Sequence, residues 1–274
     1  MKPIQVIDHL VSKHAFELTF DSKTGAWKTM PQPKEEALEK YYPNSGYASH
    51  QRKPKDFQSA LYFCIKAVNN YVKLKRLNSV CPKGKLLDFG AGNGAFAQQA
   101  KKHGWEVYAY EKAQNAISQI KQKKIILCNQ PYRPNSFNAI TLWHVFEHLP
   151  NPKQELANFY HALIPGGVLI LALPNIDAWD ARHYKSLWAA YDAPRHLWHY
   201  NKTAIEQLAK DSGFTVLKTQ NMFWDAYYVS LLSEQYSHSK FQWIKALLKG
   251  TYSNLVGWRI KNTSSLTFIL KKPE

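Results

Sequence analysis

The segment Leu86-Leu87-Asp88-Phe89 runs directly into Gly90-Ala91-Gly92-Asn93-Gly94-Ala95-Phe96. An apolar strand that meets glycines at alternate positions can turn sharply and open a helix whose bare N-terminal amides face a ligand. The glycines alone also fit the dinucleotide pattern G-x-G-x-x-A through Gly90, Gly92 and Ala95, so they do not separate nicotinamide dinucleotides from other adenosine cofactors. The residues downstream of them limit the fold much further. Short apolar runs alternate with helical stretches of roughly 10 to 15 residues, which is the pattern of βαβ units around a parallel sheet. The spacing predicts strands over 85–89, 106–110, 124–128, 137–143 and 167–173, with helices over 94–103, 112–122 and 152–163. A helix over 202–212 and a strand over 214–220 continue it, then a helical aromatic stretch over 223–262 and an alternating last strand, Leu266 to Leu270.

Ahead of this pattern, residues 1–55 read as an appendage. Two short β-type runs, 16–20 and 26–30, flank Asp-Ser-Lys-Thr-Gly, a hairpin signal ending at Gly25, and Pro31 and Pro33 stop the second run. A short helix (35–41) and an aromatic stretch through Tyr47 lead to a long helix from an expected N-cap at Asp56, with Phe57, Leu61, Ile65, Val68 and Val72 on one face. The main domain is then 56–274, with 223–262 as a helical insertion. Cys64, Cys81 and Cys128 form no Cys-x-x-Cys pair, so neither zinc nor a disulfide framework is expected. No apolar run approaches the roughly 18 residues of a membrane span. Residues 1–20 lack the apolar stretch of a secretory leader, so a cytoplasmic location is expected.

Two acids narrow the ligand. Asp88 stands at the carboxyl end of its strand, where it suits an ammonium group and would repel a pyrophosphate. Glu111 ends the next strand, where an acid can accept hydrogen bonds from both ribose hydroxyls. The segment 137–149, ending Trp143-His144-Val145-Phe146-Glu147-His148-Leu149, is followed by Leu163-Ile164-Pro165-Gly166-Gly167. The Gly166-Gly167 pair reads as a helix stop and tight turn.

In order and spacing this combination resembles the class I S-adenosylmethionine-dependent methyltransferases over roughly residues 56 to 220. Tyr191-Asp192-Ala193-Pro194-Arg195-His196-Leu197 also resembles a Pro-Arg-His-Leu signature of one bacterial subgroup. Relatives there often carry an N-terminal zinc ribbon, but this chain has no cysteine in that region, so no metal is expected. The resemblance implies an α/β fold with a doubly wound seven-stranded sheet of order 3-2-1-4-5-7-6, the seventh strand antiparallel. It implies S-adenosyl-L-methionine as cofactor, with Asp88, Gly90, Ala91, Gly92, Asn93 and Gly94 at its methionine part and Glu111, with Lys112, at the ribose. Asn129 stands where relatives commonly have an acid facing the adenine amine. Trp143 and His144 are expected to face the cleft, in contact with cofactor or substrate or simply packed.

Methyl transfer needs an aligned lone pair and, for a protonated nucleophile, a base, so His144, His148 and His196 are the candidates. Glu147 and His148 serve equally well as a cap or brace of their turn. The segment 174–200 is too long for an ordinary connection, and its Trp188, Tyr191, Arg195 and His196 are the candidate substrate contacts. Arg195 reads equally as an anion contact and as a brace to Asp192. The stretch 223–262 reads as an amphipathic lid, with contact at a membrane surface left open. The expected partner is a small molecule or an envelope precursor. A nucleic acid is disfavoured, because no Asn-Pro-Pro-Tyr-type segment follows the fourth strand. A non-catalytic cofactor-fold module is the remaining alternative.

The net charge of +16 first suggests phosphates. Residues 61–130, however, carry 12 basic residues against 3 acidic ones. Most of these, including Lys73, Lys75, Arg76, Lys101, Lys121 and Lys124, are expected at the amino edge of the sheet, near helix C-termini and behind the cleft.

Overall fold

The computed structural model describes residues 2–42 and 57–274. The expected N-cap Asp56 and the aromatic stretch at Tyr47 lie outside them. In chain order come β1 (Ile4–Ile7), β2 (Ala15–Asp21), β3 (Ala26–Met30), α1 (Glu35–Leu38), α2 (Phe57–Asn78), β4 (Lys85–Phe89), α3 (Ala95–Lys102) and β5 (Glu106–Tyr110). Next are α4 (Gln114–Gln122), β6 (Ile126–Leu127), β7 (Phe137–Trp143), α5 (Pro152–Ala162), β8 (Leu163–Pro174), α6 (Trp179–Tyr184) and β9 (Trp198–His199). The chain ends with α7 (Lys202–Asp211), β10 (Thr215–Met222), α8 (Trp224–Tyr236), α9 (Gln242–Ile260) and β11 (Ser265–Lys271).

Seven strands form one sheet in the order β10-β11-β8-β7-β4-β5-β6, which is the 3-2-1-4-5-7-6 pattern of a doubly wound fold. Only β11 runs antiparallel to its two neighbours. Because side chains alternate across a strand, Leu86 packs with Phe96, Val107 and Ile170 on one face. Leu87 and Phe89 pack with Ile140, Phe159 and Leu171 on the other. Parallel strands covered on both faces read as continuous apolar runs, as the central strands do here.

Some boundaries differ from the sequence reading. β6 has only two residues, because Lys124 takes a φ of 54° and breaks the extended run. β8 starts at Leu163, so Gly166-Gly167 lies within the strand, where Gly166 donates to the carbonyl of Lys272. Among the described side chains of α2, Leu74 and Leu77 are buried and Val68 is 44% exposed, while Phe57, Leu61 and Ile65 lie outside the described side chains.

The N-terminal strands build a second sheet, β1-β2-β3-β9, whose fourth strand comes from the far end of the 174–200 segment. Trp27 pairs with His199 and Lys28 with Trp198. Thr29 Oγ1 donates to the carbonyl of His196 at 2.7 Å. This sheet packs on the segment through Val6, Phe16 and Leu18 against Tyr184, Trp188 and Tyr191.

Candidate functional site

Strand β4 delivers Asp88 to the centre of the sheet, buried, where Thr141 Oγ1 of β7 donates to it at 3.0 Å. Burial pushes its carboxyl up to about 7, against the pull of the Thr141 hydroxyl and the Lys73 ammonium. The chain then turns at Gly90, whose φ is 72°. A Cβ there would come within 2.5 Å of Val145, so only glycine permits the close approach. The amides of Gly90 and Ala91 donate to the carbonyl of Tyr110 at 2.8 and 3.1 Å.

Glu111, just beyond β5, ties the loop to the end of that strand. Its carboxylate accepts from the amides of Gly92, Lys112 and Ala113 at 2.7, 2.9 and 3.0 Å. Oε2 carries one of these bonds and so retains acceptor capacity. Asn93 Oδ1 accepts from Ala95, and the Asn93 carbonyl accepts from Lys123. Asn129 is exposed beyond β6.

At the end of β7, Trp143 stacks edge-on against Phe96, and the Lys73 ammonium lies 4.8 Å from its ring centre. This corrects the expectation that Lys73 lies behind the cleft. It sits five residues before the end of α2 and, at 1.5 Å per residue, stands well above the amino edge of the sheet. Lys123 is likewise turned toward the glycine loop.

His144 takes a φ of 57° and lies between two carboxylates, Glu147 at 3.6 Å from Nδ1 and Asp225 at 3.0 Å from Nε2. Burial works against its proton, but Asp225 and Glu147 outweigh it and raise the imidazole to about 9. His144 is therefore a cation near neutral pH, a charge partner before it is a base. His148 Nδ1 faces the Arg195 carbonyl at 2.8 Å, which can only accept, so the proton sits there and Nε2 is left as the acceptor. His196 is fixed the same way by the Ala190 carbonyl at 2.9 Å, and burial together with His148 lowers it to about 4. Tyr42 Oη lies 3.4 Å from His148 Nδ1.

Glu147, 1% exposed, is the centre of this cluster. Neither of its oxygens has a hydrogen-bond partner among the described residues, and the nearest imidazole nitrogens are 3.6 and 3.9 Å away. Burial raises its pKa, and His144, His196 and His148 more than offset that, so it stays ionised. Glu147, His148 and His196 bring ligand-type atoms within 4.8 Å of one another. The 3.9 Å between Glu147 Oε1 and His196 Nε2 is wider than the roughly 3.3 Å between ligands around a tetrahedral zinc. At 3.9 Å the carboxylate and the imidazole interact by charge, without a shared hydrogen bond.

The remaining expected substrate contacts are engaged inside the protein. Arg195, 1% exposed, is bound to Asp8, Asp192 and the Tyr41 carbonyl. Trp188 donates to Asp180 at 2.8 Å, and Tyr191 packs edge-on against Trp188 and His199. His196 alone of the four brings its side chain into the Glu147 cluster, which Arg195 touches through its carbonyl. Sequence reasoning missed Asp225, Lys73 and Tyr42 as neighbours of the site. Only Tyr42 gave a signal, as part of an aromatic run.

A glycine turn at the switch point of a doubly wound sheet, with an acid after the second strand, defines an α/β domain that holds an adenosine cofactor. A family model described as a methyltransferase domain matches residues 54–219, and the chain belongs to this family of S-adenosylmethionine-dependent methyltransferases. Phosphoethanolamine N-methyltransferase 2 of Caenorhabditis elegans is 24% identical over 162 residues, covering 54% of this chain and 36% of its own length. The chain thus matches about a third of that curated relative. Two structures of Haemonchus contortus phosphoethanolamine N-methyltransferase 2 share the fold. The complex with phosphomonomethylethanolamine and S-adenosylhomocysteine has a TM-score of 0.53 at 21% identity, over 75% of this chain and 52% of that one. The complex with S-adenosyl-L-methionine has a TM-score of 0.56 at 18% identity, over 96% and 70%.

The residues fit such a cofactor on three observations. A Cβ at Gly92 would meet nothing within 4 Å, so space is open beside the loop. Asp88 is a buried carboxyl able to pair with an ammonium. Trp143 Nε1 is a buried donor without a hydrogen-bond partner among the described residues.

Proposed function

We propose that the protein transfers a methyl group from S-adenosylmethionine to an amine of a small molecule, held beside the end of β7. The observation that carries this reading is the buried, ionised carboxylate of Glu147 with neither oxygen hydrogen-bonded among the described residues. The imidazoles at 3.6 and 3.9 Å balance its charge without hydrogen-bonding it, and the N–H groups of an ammonium acceptor would supply the missing charge-assisted bonds. Phosphoethanolamine, for which the matched relatives are named, is such an acceptor and the first to test.

The bound cofactor supplies the electrophilic methyl; the chain supplies placement and a route for the proton. Asp88 and Glu111 orient the cofactor's polar ends. Glu147 attracts the ammonium form of the acceptor. His148 Nε2, its tautomer fixed through Arg195, accepts the proton that must leave before nitrogen can attack. His144, charged and clamped by Asp225, sets the local field, and α8 closes over it.

The test is methyl transfer from labelled S-adenosylmethionine to a panel of small amines, phenols and carboxylic acids. Product on amines, with Glu147→Gln raising KM for them at least about tenfold, is the expected result. Transfer only to oxygen acceptors would overturn the amine assignment, and a failure of S-adenosylhomocysteine to raise the melting temperature would overturn the cofactor assignment.

A further inference from the structure

Helix α9 presents its bulky apolar side chains outward. Its buried side consists of Ala246, Gly250, Ser253, Asn254 and Gly257. A Cβ on Gly250 would come within 2.8 Å of Tyr227, and one on Gly257 within 2.8 Å of Thr263. The small face is thus closely seated on α8 and on the turn before β11. Ser253 Oγ adds a 2.9 Å bond to the buried Asp180. The outer side carries Ile244, Leu247, Leu248, Leu255 and Trp258 at spacings of three, four and seven, each 58–65% exposed. A solvated surface helix turns its apolar stripe to the core, so an outward stripe of this extent marks contact with an apolar phase.

The charge around the stripe identifies that phase. Between Glu234 and Glu274 the sequence has no acidic residue, while Lys240, Lys245, Arg259 and Lys261 are exposed along or beside the helix. A second copy docking there would set these cations against their own counterparts with no carboxylate on the helix to pair them. An anionic lipid surface would satisfy them.

We propose that α9 lies flat on a bilayer containing anionic phospholipid, its leucines, isoleucine and tryptophan in the headgroup–acyl boundary and its lysines and arginines against lipid phosphates. Phe223, Trp224 and Tyr228, 39–42% exposed, lie at the start of α8, the helix that carries Asp225. This docking does not depend on the acceptor assignment.

The test is co-sedimentation of the full chain with vesicles of phosphatidylcholine, with and without added phosphatidylglycerol, together with tryptophan emission. Binding to the anionic vesicles with a blue shift is expected. It should weaken at least about tenfold in Leu248→Asp/Leu255→Asp, where two buried-on-docking leucines become charged. It should also weaken between about 0.1 and 1 M salt, as the screening length falls from roughly 10 to 3 Å. Both positions are exposed, so the double variant should keep the melting temperature and the S-adenosylhomocysteine shift of the wild type. Absence of binding, or equal binding by the variant, overturns the proposal. So does a lipid-independent dimer in light scattering that the double variant dissociates.

Discussion

The guanidinium of Arg195 and the carboxylate of Asp8 meet at 3.0 Å across 187 positions of sequence, with 1% and 0% of their side chains exposed. Asp192 completes the arrangement at 2.7 Å from the same nitrogen. Removing the cation leaves two buried carboxylates without it, and breaking such a pair costs about 3–5 kcal/mol. Arg195→Met should lower the melting temperature by roughly 6–15 °C in a thermal scan; a loss under about 2 °C would show that the pair does not fix the 174–200 segment to the N-terminal sheet. Burial works against the Asp8 charge, yet the Ser12 amide and hydroxyl and Arg195 bring its pKa down to about 2. The unfolded value is about 3.9, so this stability is present above pH 4 and is lost as pH falls toward 2.

Asp88 behaves in the opposite sense. With its carboxyl raised to about 7, the ionised form is penalised in the folded protein, so stability without ligand should fall as pH rises from about 4 through 7. Affinity for a ligand bearing an ammonium should rise over the upper part of that range. Calorimetric titration with S-adenosylhomocysteine is expected to show tighter binding at pH 8 than at pH 6, and Asp88→Asn should bind weakly and without that slope.

The His144–Asp225 pair can be read by proton NMR. An imidazole raised to about 9 contributes stability that is complete below about 6.5 and disappears as pH rises through 9. In Asp225→Asn its titration should move down by at least about one unit, the order expected for losing a carboxylate within hydrogen-bond reach. An unchanged midpoint would mean that Glu147 alone sets the proton affinity.

Gly90 and Gly92 both have positive φ, but their surroundings differ. Alanine at 90 would press within 2.5 Å of Val145 and should cost more than the ~1–3 kcal/mol of backbone strain alone. Alanine at 92 meets nothing within 4 Å and bears only the strain. Gly92→Ala should therefore fold, with a modest melting shift, yet lose most of its S-adenosylhomocysteine response. If it binds normally, the open space beside Gly92 is not where the cofactor lies.

Local chemistry made much of this molecule legible. A buried strand ending in glycines reads directly as β4 and its turn, and the alternating residues 266–270 read as the antiparallel β11. Asp88 and Glu111 stand at the strand ends to which the spacing assigned them. Pairings between distant segments left no such trace. Nothing near His144 announces Asp225, which arrives from α8 only after three further helices and three strands have intervened. The charge on Lys73 suggested a helix end, and only the length of α2 shows that it reaches Trp143. For Arg195 the sequence offered the brace to Asp192 beside an anion contact, and the structure shows the brace, whereas its second partner, Asp8, became evident only in three dimensions. The outward face of α9 looked like an ordinary amphipathic pattern because periodicity reveals a stripe without saying which way it points.

The pairing of Trp27 with His199 also bears on synthesis. As the chain leaves the ribosome, β3 emerges early, but its outer edge gains a partner only once the whole central part of the sequence, up to residue 199, has appeared. Until then it is an open edge able to recruit any strand nearby. Pro31 and Pro33, which follow β3 at once, limit how far such a mistaken partner could extend. Slow decoding before residue 199 should therefore increase aggregation of the nascent protein, whereas a slow stretch after it should not.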